Sequence, residues 1–250
     1  MNAHPLPPSL SLALSELPRA GLETGLSVLR LPRLIRQHRG GDGHPVLVLP
    51  GYGAADGATR LLQYFLRKIG YAVYGLELGR NLEAAEDRIR SIDDATRFRE
   101  TMTRAVIERV ETLHRDVEQP LSLIGWSMGG LYAHDASGHI PEKVRQVITL
   151  GSPFGDPRGT SLFMLMRRLS GSEVPLEEQD FDGWLQRAQR SDASVRTHVV
   201  YSKRDGIVGD GVAKLATMDH VIHVEIDSSH VAFPSNSLAL ATIAEILKSA

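Results

Sequence analysis

A serine between two glycines, at the junction of an apolar run and a helical pattern, constrains the fold more than any other feature of the chain. Residues 123–130 read LIGWSMGG, which contains a G-x-S-x-G pentapeptide centred on Ser127. Glycines on both sides let neighbouring backbones approach a tight turn, so that the serine hydroxyl points into open space. We therefore expect a strand, a sharp turn carrying Ser127, and then a helix.

Strand-like and helix-like patterns alternate along most of the chain. Residues 45–50 form a continuous apolar run, typical of a strand buried on both faces, and the largely apolar stretches at residues 71–78, 144–151 and 198–201 also predict strands, whereas residues 221–226 alternate more weakly. Apolar residues recur at helical spacing over residues 59–69 and 91–117 and near the C-terminus. This order predicts an α/β fold with a mostly parallel central sheet and helices on both faces.

Two segments fall outside the alternation and suggest a division of the chain. We assign residues 1–44 to an N-terminal helical extension, 45–155 and 195–250 to the α/β core, and 156–194 to a small helical cap. Within the cap, residues 162–168 and 182–190 have helical patterns, and residues 162–166 form an apolar cluster. This cluster is equally consistent with a cover over a lipidic pocket and with a helix packed on the sheet.

The N-terminal extension has an apolar stripe interrupted by arginines: Leu22, Leu26, Leu29 and Leu34, with Arg30, Arg33, Arg36 and Arg39 between them. A basic amphipathic helix of this kind suits an anionic membrane surface. Pro32 and the short apolar face instead favour a helix that packs on the main domain or on a dimer partner. We expect a monomer or homodimer, with a transient lipid-interface contact as the alternative.

Overall composition bounds the partners and the compartment. The chain has 250 residues, a formal net charge of −2 and no cysteine, which argues against nucleic-acid binding and excludes disulfides and thiolate chemistry. Prolines interrupt the N-terminus, so no signal peptide is predicted, and no run reaches the roughly 20 apolar residues that cross a bilayer. A cytoplasmic location is the expectation.

A serine hydroxyl is a weak nucleophile near neutral pH and needs a base, an acid to orient that base, and donors for an oxyanion. From about Asp42 onward the chain resembles the α/β-hydrolases, most of all small bacterial serine esterases and lipases. That family places its nucleophile, acid and histidine in this chain order. The resemblance implies that Ser127 attacks, Asp205 (in YSKRDGIV) orients the base, and His230 (in SSHVAF) relays the proton.

Competing assignments are weaker at each position. Asp210 and Asp227 are the other candidate acids. We interpret His220 and His223, in or beside a strand, as surface or packing residues, and His134 and Asp135 as helical residues near the core. Trp126 and Tyr132 fit an acyl pocket, although aromatic residues there more often only pack.

The resemblance also implies two backbone donors for an oxyanion. One is the amide of Met128, directly after the nucleophile, and the other is the amide of Tyr52 in the sequence Pro50-Gly51-Tyr52-Gly53. Proline stands where the family commonly has histidine, which leaves the Tyr52 donor available but changes the start of the loop.

These residues predict a serine carboxylic-ester hydrolase that works through an acyl-enzyme on a small-molecule ester, with a preference for medium-to-long acyl chains. No H-E-x-x-H or phosphate-loop motif occurs, so we expect neither a metal nor a cofactor. Acyl transfer, thioester hydrolysis and amide hydrolysis use the same triad and stay open. A non-catalytic binding protein on the same fold is the alternative from a different class.

Overall fold

The computed structural model describes residues 5–78, 89, 91–161, 163, 179–189 and 195–249. In these ranges six strands form one sheet in which every neighbouring pair is parallel, with the order β2-β1-β3-β4-β5-β6. The strands are β1 (Pro45–Leu49), β2 (Ala72–Gly75), β3 (Leu121–Trp126), β4 (Val144–Leu150), β5 (Thr197–Tyr201) and β6 (Val221–Glu225). The strands β1, β4, β5 and β6 lie within one residue of the predicted ones, β3 leads into Ser127 as expected, and β2 ends three residues early.

Helices cover both faces of this sheet because successive strand residues point to opposite sides. On one face, α4 (Ile92–Val117) and α5 (Met128–His139) pack against residues such as Leu47 and Leu123. On the other face, α3 (Arg60–Ile69) and the C-terminal helix (Ser237–Lys248) pack against residues such as Val48 and Ile124. The prediction of a parallel sheet with helices on both faces is confirmed.

Local signals fix the ends of the two helices that lead into the sheet. The side chain of Ser91 accepts from the Asp94 amide while the Asp94 carboxylate accepts from the Ser91 amide, a capping box at the start of α4. Gly70, at φ 114°, ends α3 in the left-handed conformation that glycine adopts without a Cβ penalty. The helices predicted at residues 91–117 and 59–69 therefore begin and end within one residue of the prediction.

The N-terminal segment forms two helices, α1 (Leu10–Leu14) and α2 (Glu16–His38). Leu31, Leu34 and Ile35 of α2 pack against the core cluster under α3 and the C-terminal helix. Pro32 lies inside α2 without ending it. The stripe predicted through Leu22, Leu26, Leu29 and Leu34 is divided: Leu34 packs inward, whereas the other three are exposed.

Part of the predicted cap lies within the described residues. A short 3-10 turn spans Pro157–Gly159, and α6 (Phe181–Gln189) coincides closely with the helix predicted at residues 182–190. Phe181 and Trp184 of α6 are buried in the same apolar cluster as α4 and α5. The predicted helix at residues 162–168 and its apolar cluster lie outside the described residues, apart from Phe163, whose ring meets that of Phe181 edge-on.

The sheet reverses its winding direction between β1 and β3. From β1 the chain moves outward to β2 by way of α3 on one face, then returns by way of α4 on the opposite face to place β3 on the other side of β1. Ligands of parallel sheets bind in the crevice at the carboxyl ends of the strands at such a reversal. The residues after β1 and β3 are the Gly51 loop and Ser127.

None of the described helices is long and apolar enough to cross a bilayer.

Candidate active site

Ser127 occupies the turn between β3 and α5 in a strained backbone conformation, with φ 55° and ψ −126°. The Ser127 amide donates to Leu150 O of β4 at 2.9 Å, which ties the turn to the neighbouring strand. A Cβ on Gly125 would collide with the backbone carbonyl of Gly129, and one on Gly129 would lie 2.6 Å from Leu49 O. The two glycines are therefore required for the close approach of β3, α5 and β1 around this serine.

The structure brings the three sequence-predicted residues together in one hydrogen-bonded relay. Ser127 Oγ lies 3.1 Å from His230 Nε2, and His230 Nδ1 lies 2.7 Å from Asp205 Oδ2. All three side chains are buried, with relative exposures of 6%, 3% and 1% for the serine, histidine and aspartate residues. With Nδ1–H donating to the carboxylate, Nε2 has a lone pair directed at the serine hydroxyl, which is the tautomer a general base needs.

Burial and charge act in opposite directions on this pair. Burial disfavours the imidazolium, but the Asp205 carboxylate, with a smaller contribution from Glu16, outweighs it and raises the pKa of His230. Burial likewise opposes ionisation of Asp205, yet His230 and the amides of Val208 and Ile207 lower the pKa of this carboxyl. The aspartate therefore stays charged near neutral pH and stabilises a positive imidazole beside it.

The loop after β5 fixes the orientation of the aspartate. Asp205 Oδ1 accepts from the amides of Ile207 and Val208 at 2.9 and 2.8 Å, leaving Oδ2 for the histidine. Ser202 Oγ accepts from the amides of Arg204 and Ser228, so one hydroxyl joins the acid loop to the histidine loop.

The two competing acids lie apart from this relay. Asp227 forms a 2.9 Å ion pair with Arg204, and Asp210 lies 3.7 Å from Lys214 Nζ. Both carboxylates are about half exposed, and neither has a hydrogen bond to His230 among the described contacts.

The segments predicted to supply oxyanion donors both adjoin the serine. A Cβ added to Gly51 would lie 2.9 Å from Ser127 Cβ and 3.6 Å from its Oγ, so residue 51 must be glycine for the loop to pass this close. The Tyr52 ring meets the Phe98 ring edge-on at 5.6 Å, which anchors the loop on α4. Met128 is the first residue of α5, where helix geometry gives an amide no intrahelical partner. The Met128 and Tyr52 amides stay our predicted donors.

Comparison with known proteins addresses the family directly. The family model described as alpha/beta hydrolase fold matches residues 44–201, more than half of the chain. This chain belongs to the α/β-hydrolase fold family. The predicted fold class and resemblance are thereby confirmed, while a search of curated protein sequences finds no match.

Solved structures agree with this fold at low sequence identity. A monoacylglycerol lipase from Paleococcus ferrophilus has 13% identity and a TM-score of 0.56, covering 82% of this chain and 94% of the lipase. A structure of the metagenome-derived lipolytic enzymes LipS and LipT has 16% identity and a TM-score of 0.58, covering 85% of this chain and 96% of that one. A thioesterase domain from the curacin biosynthetic pathway has 15% identity and a TM-score of 0.51, covering 84% of this chain and 92% of the domain. At such identities the likeness establishes the fold alone.

In this α/β-hydrolase, the N-terminal helix α2 contacts the loops that carry the acid and the histidine. Glu16 is 3% exposed, and its Oε1 accepts from the amides of Gly206 at 2.6 Å and His230 at 3.2 Å. About two turns further on the same face, Glu23 accepts from the amide and hydroxyl of Ser229 and from Asn236 Nδ2. Two carboxylates of α2 thus fix the loops that carry Asp205 and His230.

Sequence reasoning missed this pair of glutamates. The available signal was their seven-residue spacing, which places Glu16, Ala20, Glu23 and Ser27 on one helix face as a polar and small-residue stripe. Acidic residues on a helix are usually solvated, so only the tertiary structure distinguishes this inward-facing pair from a surface pair.

Further residues singled out in the sequence have structural contacts. Trp126 Nε1 donates to the backbone carbonyl of His230 at 3.0 Å, so this indole helps to hold the histidine loop. His134 is buried against the Phe154 ring, and Asp135 pairs with the fully buried Arg99. Among the described residues, no group of three or more histidine, aspartate or glutamate side chains is arranged to hold a metal ion.

Proposed function

We propose that the protein is a serine hydrolase that cleaves carboxylic esters through an acyl-enzyme intermediate. The observation that carries this proposal is the buried relay from Ser127 Oγ to His230 Nε2 and from His230 Nδ1 to Asp205, with distances of 3.1 and 2.7 Å. Two further features support it: the strained turn that presents the serine, and a glycine loop beside the hydroxyl. A decayed site on this fold would be expected to have lost at least one of these parts.

The proposed reaction runs in two steps. His230 Nε2 takes the hydroxyl proton as Ser127 Oγ attacks the acyl carbon, and the Met128 and Tyr52 amides stabilise the negative oxygen of the tetrahedral intermediate. The imidazolium gives that proton to the departing alcohol, leaving the acyl group on the serine. Water, deprotonated by the same nitrogen, then attacks the acyl-enzyme, and the imidazolium returns that proton to Ser127 Oγ as its bond to the acyl carbon breaks and the carboxylic acid leaves.

For the acyl group we propose a medium-to-long chain. Phe163, Phe181 and Trp184 of the cap region belong to or pack against the apolar cluster that also contains Leu131 and Tyr132 of α5. Apolar surroundings next to the helix that follows the proposed nucleophile support a hydrocarbon chain as the bound group, since binding would remove the apolar surface of that chain from water.

The test is hydrolysis of p-nitrophenyl esters from acetate to palmitate by the wild-type protein, with Ser127→Ala as the matched blank. We expect turnover that depends on the serine, with a loss on the order of a millionfold in kcat for the variant. A fluorophosphonate probe should label the wild type and spare the variant. Equal turnover by both proteins would refute the mechanism, and the acyl length of maximal kcat/KM tests the chain preference separately.

The same triad also supports transfer of the acyl group to an alcohol or amine, and cleavage of thioesters or amides. Labelling of Ser127 without ester turnover would redirect the search to these reactions, because the acyl-enzyme forms in all of them. Absence of labelling in a demonstrably folded sample would favour a non-catalytic binding protein.

A further inference from the structure

Large apolar side chains are exposed mainly in one segment of the molecule. Of the twelve exposed large apolar side chains among the described residues, eight lie between residues 6 and 29. Their exposures range from 41% to 89%, and they are Leu6, Leu10, Leu14, Leu17, Leu22, Leu26, Val28 and Leu29. Isolated surface leucines need no explanation, but a contiguous apolar patch on a soluble domain usually marks a contact surface. We call these eight residues the outer apolar face.

The outer apolar face extends beyond the two helices. Leu22 and Leu26 line a surface cleft of about 250 Å³ whose far side includes Leu238 of the C-terminal helix, itself 50% exposed. Helix α2 does not project from the molecule, because Glu16, Glu23 and Leu34 hold its inner side against the core. The exposed leucines of α2 therefore lie on a helix that is held against the core.

The charges of this segment are divided between the two sides of α2. Its only acidic residues, Glu16 and Glu23, face inward and are engaged by backbone amides of the core. Four arginines follow the apolar face along the helix axis and are exposed: Arg30, Arg33, Arg36 and Arg39. The outer surface of residues 5–40 is thus mainly apolar in its first part and cationic in its last; of its two carboxylates, only Glu23 reaches the surface, where it lines the cleft beside Leu22 and Leu26.

We propose that the outer apolar face and these arginines dock the protein on an anionic lipid surface, with α2 lying in the plane of the interface. Apolar side chains would enter the boundary between headgroups and acyl chains, and the arginines would pair with anionic headgroups. This surface is separate from the triad, and the proposal stands whether or not the protein cleaves esters.

Charge complementarity favours lipid over a second copy of the chain. A two-fold helix pair would bring the arginines of each copy against either an apolar surface or further arginines, because both acids of α2 are already turned inward. An anionic bilayer satisfies the apolar and the cationic parts together, since a helix in the plane of the interface reaches both the headgroups and the edge of the acyl chains.

Co-sedimentation with vesicles tests the proposal. Full-length protein is mixed with vesicles of phosphatidylcholine and phosphatidylglycerol, or of phosphatidylcholine alone, at low and high salt. Leu22→Ser/Leu29→Ser removes two residues of the outer apolar face, and Tyr64→Ser/Ile222→Ser is the matched control at exposed apolar residues elsewhere. Arg33→Gln/Arg36→Gln removes two charges, with Arg104→Gln/Arg115→Gln on α4 as its control.

We expect the wild type and both controls to bind the anionic vesicles and to be released by salt. The leucine variant should bind about 100-fold more weakly, at about tenfold per leucine, and the arginine variant about 30-fold more weakly, at about fivefold per arginine. Binding by the leucine variant at the wild-type level would overturn the proposal, as would wild-type protein that stays in the supernatant. If light scattering shows a dimer that the leucine variant converts to monomer, without vesicle binding, the face belongs to a second copy and the lipid proposal fails.

Discussion

Replacing Glu16 by glutamine should change both the stability of the protein and the pH at which it loses activity. Glu16 lies on α2, yet it accepts hydrogen bonds from amides in the acid loop and in the histidine loop. Its negative charge also helps to raise the pKa of His230. The substitution keeps the shape of the side chain and removes only the charge and one acceptor atom, so that the two effects can be measured on a folded protein.

The cost in stability follows from the hydrogen bonds that Glu16 Oε1 accepts from two loop amides, at 2.6 Å from Gly206 N and 3.2 Å from His230 N. A hydrogen bond to a charged group contributes about 1 kcal/mol more than one to a neutral group, so two such bonds imply a loss of about 2 kcal/mol. For a chain of this length that loss lowers Tm by about 4–8 °C. Urea denaturation gives the free energy directly, and differential scanning calorimetry gives Tm.

The catalytic effect has a definite sign. In the proposed mechanism His230 acts as a base only when neutral, so kcat/KM should fall as pH drops through the pKa of this imidazole. Removing the Glu16 charge lowers that pKa, and the acid limb of kcat/KM for a soluble ester should therefore move to lower pH. The variant should also lose kcat at its optimum, because the imidazolium that forms in the transition state is less stabilised.

Glu23→Gln is the matched control. Glu23 lies on the same face of α2 as Glu16 and accepts hydrogen bonds of 3.0–3.1 Å from Ser229 and Asn236. Removing its charge should therefore cost a similar amount of stability. It does not contribute to the raised pKa of His230, and its acid limb should coincide with that of the wild type. An unshifted acid limb in Glu16→Gln, or an equal shift in both variants, would refute the electrostatic reasoning.

Other expectations follow from the same geometry. In the wild type, the acid limb of kcat/KM should lie above the ordinary imidazole value of about 6.5, because the pKa of His230 is raised. Gly125→Ala should yield no folded protein on size-exclusion chromatography, since its Cβ collides with the backbone of α5. Asp205→Asn should keep the fold by circular dichroism and lose about 10⁴-fold in kcat, because the wrong imidazole tautomer becomes favoured. Arg99→Met should cost about 3–5 kcal/mol in urea unfolding by leaving Asp135 without its buried partner, and Arg99→Met/Asp135→Leu should recover part of that loss.

The sheet and its helices were predictable because their signals are local. A strand buried on both faces, such as β1, is a continuous apolar run, and helices such as α3 have both a periodic pattern and an end signal at Gly70. Predicted strand ends were least accurate at β2, where the sequence stays apolar after hydrogen bonding to β1 has ended at Gly75. Apolar residues there continue into a turn rather than into the ladder.

The orientation of α2 was not predictable, because it depends on what the helix packs against. Leu34 and Leu29 were assigned to one stripe, although five residues of helix separate them by about 140° around the axis. Only the packing of Leu34 on the C-terminal helix and α3 shows which side is inward. The roles of Glu16 and Glu23 depend on the same information, since their partners lie about 190–215 residues away along the chain.

The positive φ of Ser127 has a practical consequence for trapping a bound substrate. A non-glycine residue at φ 55° and ψ −126° lies in a region that glycine alone adopts freely, at a cost of about 1–3 kcal/mol. Ser127→Ala removes the proposed nucleophile but keeps the Cβ and hence this cost, whereas Ser127→Gly removes both. The glycine variant should therefore be inactive and yet melt at a higher temperature than the native enzyme. For cocrystallisation with an intact ester it is the better starting protein, and the native sequence has given up thermal resistance to present its hydroxyl.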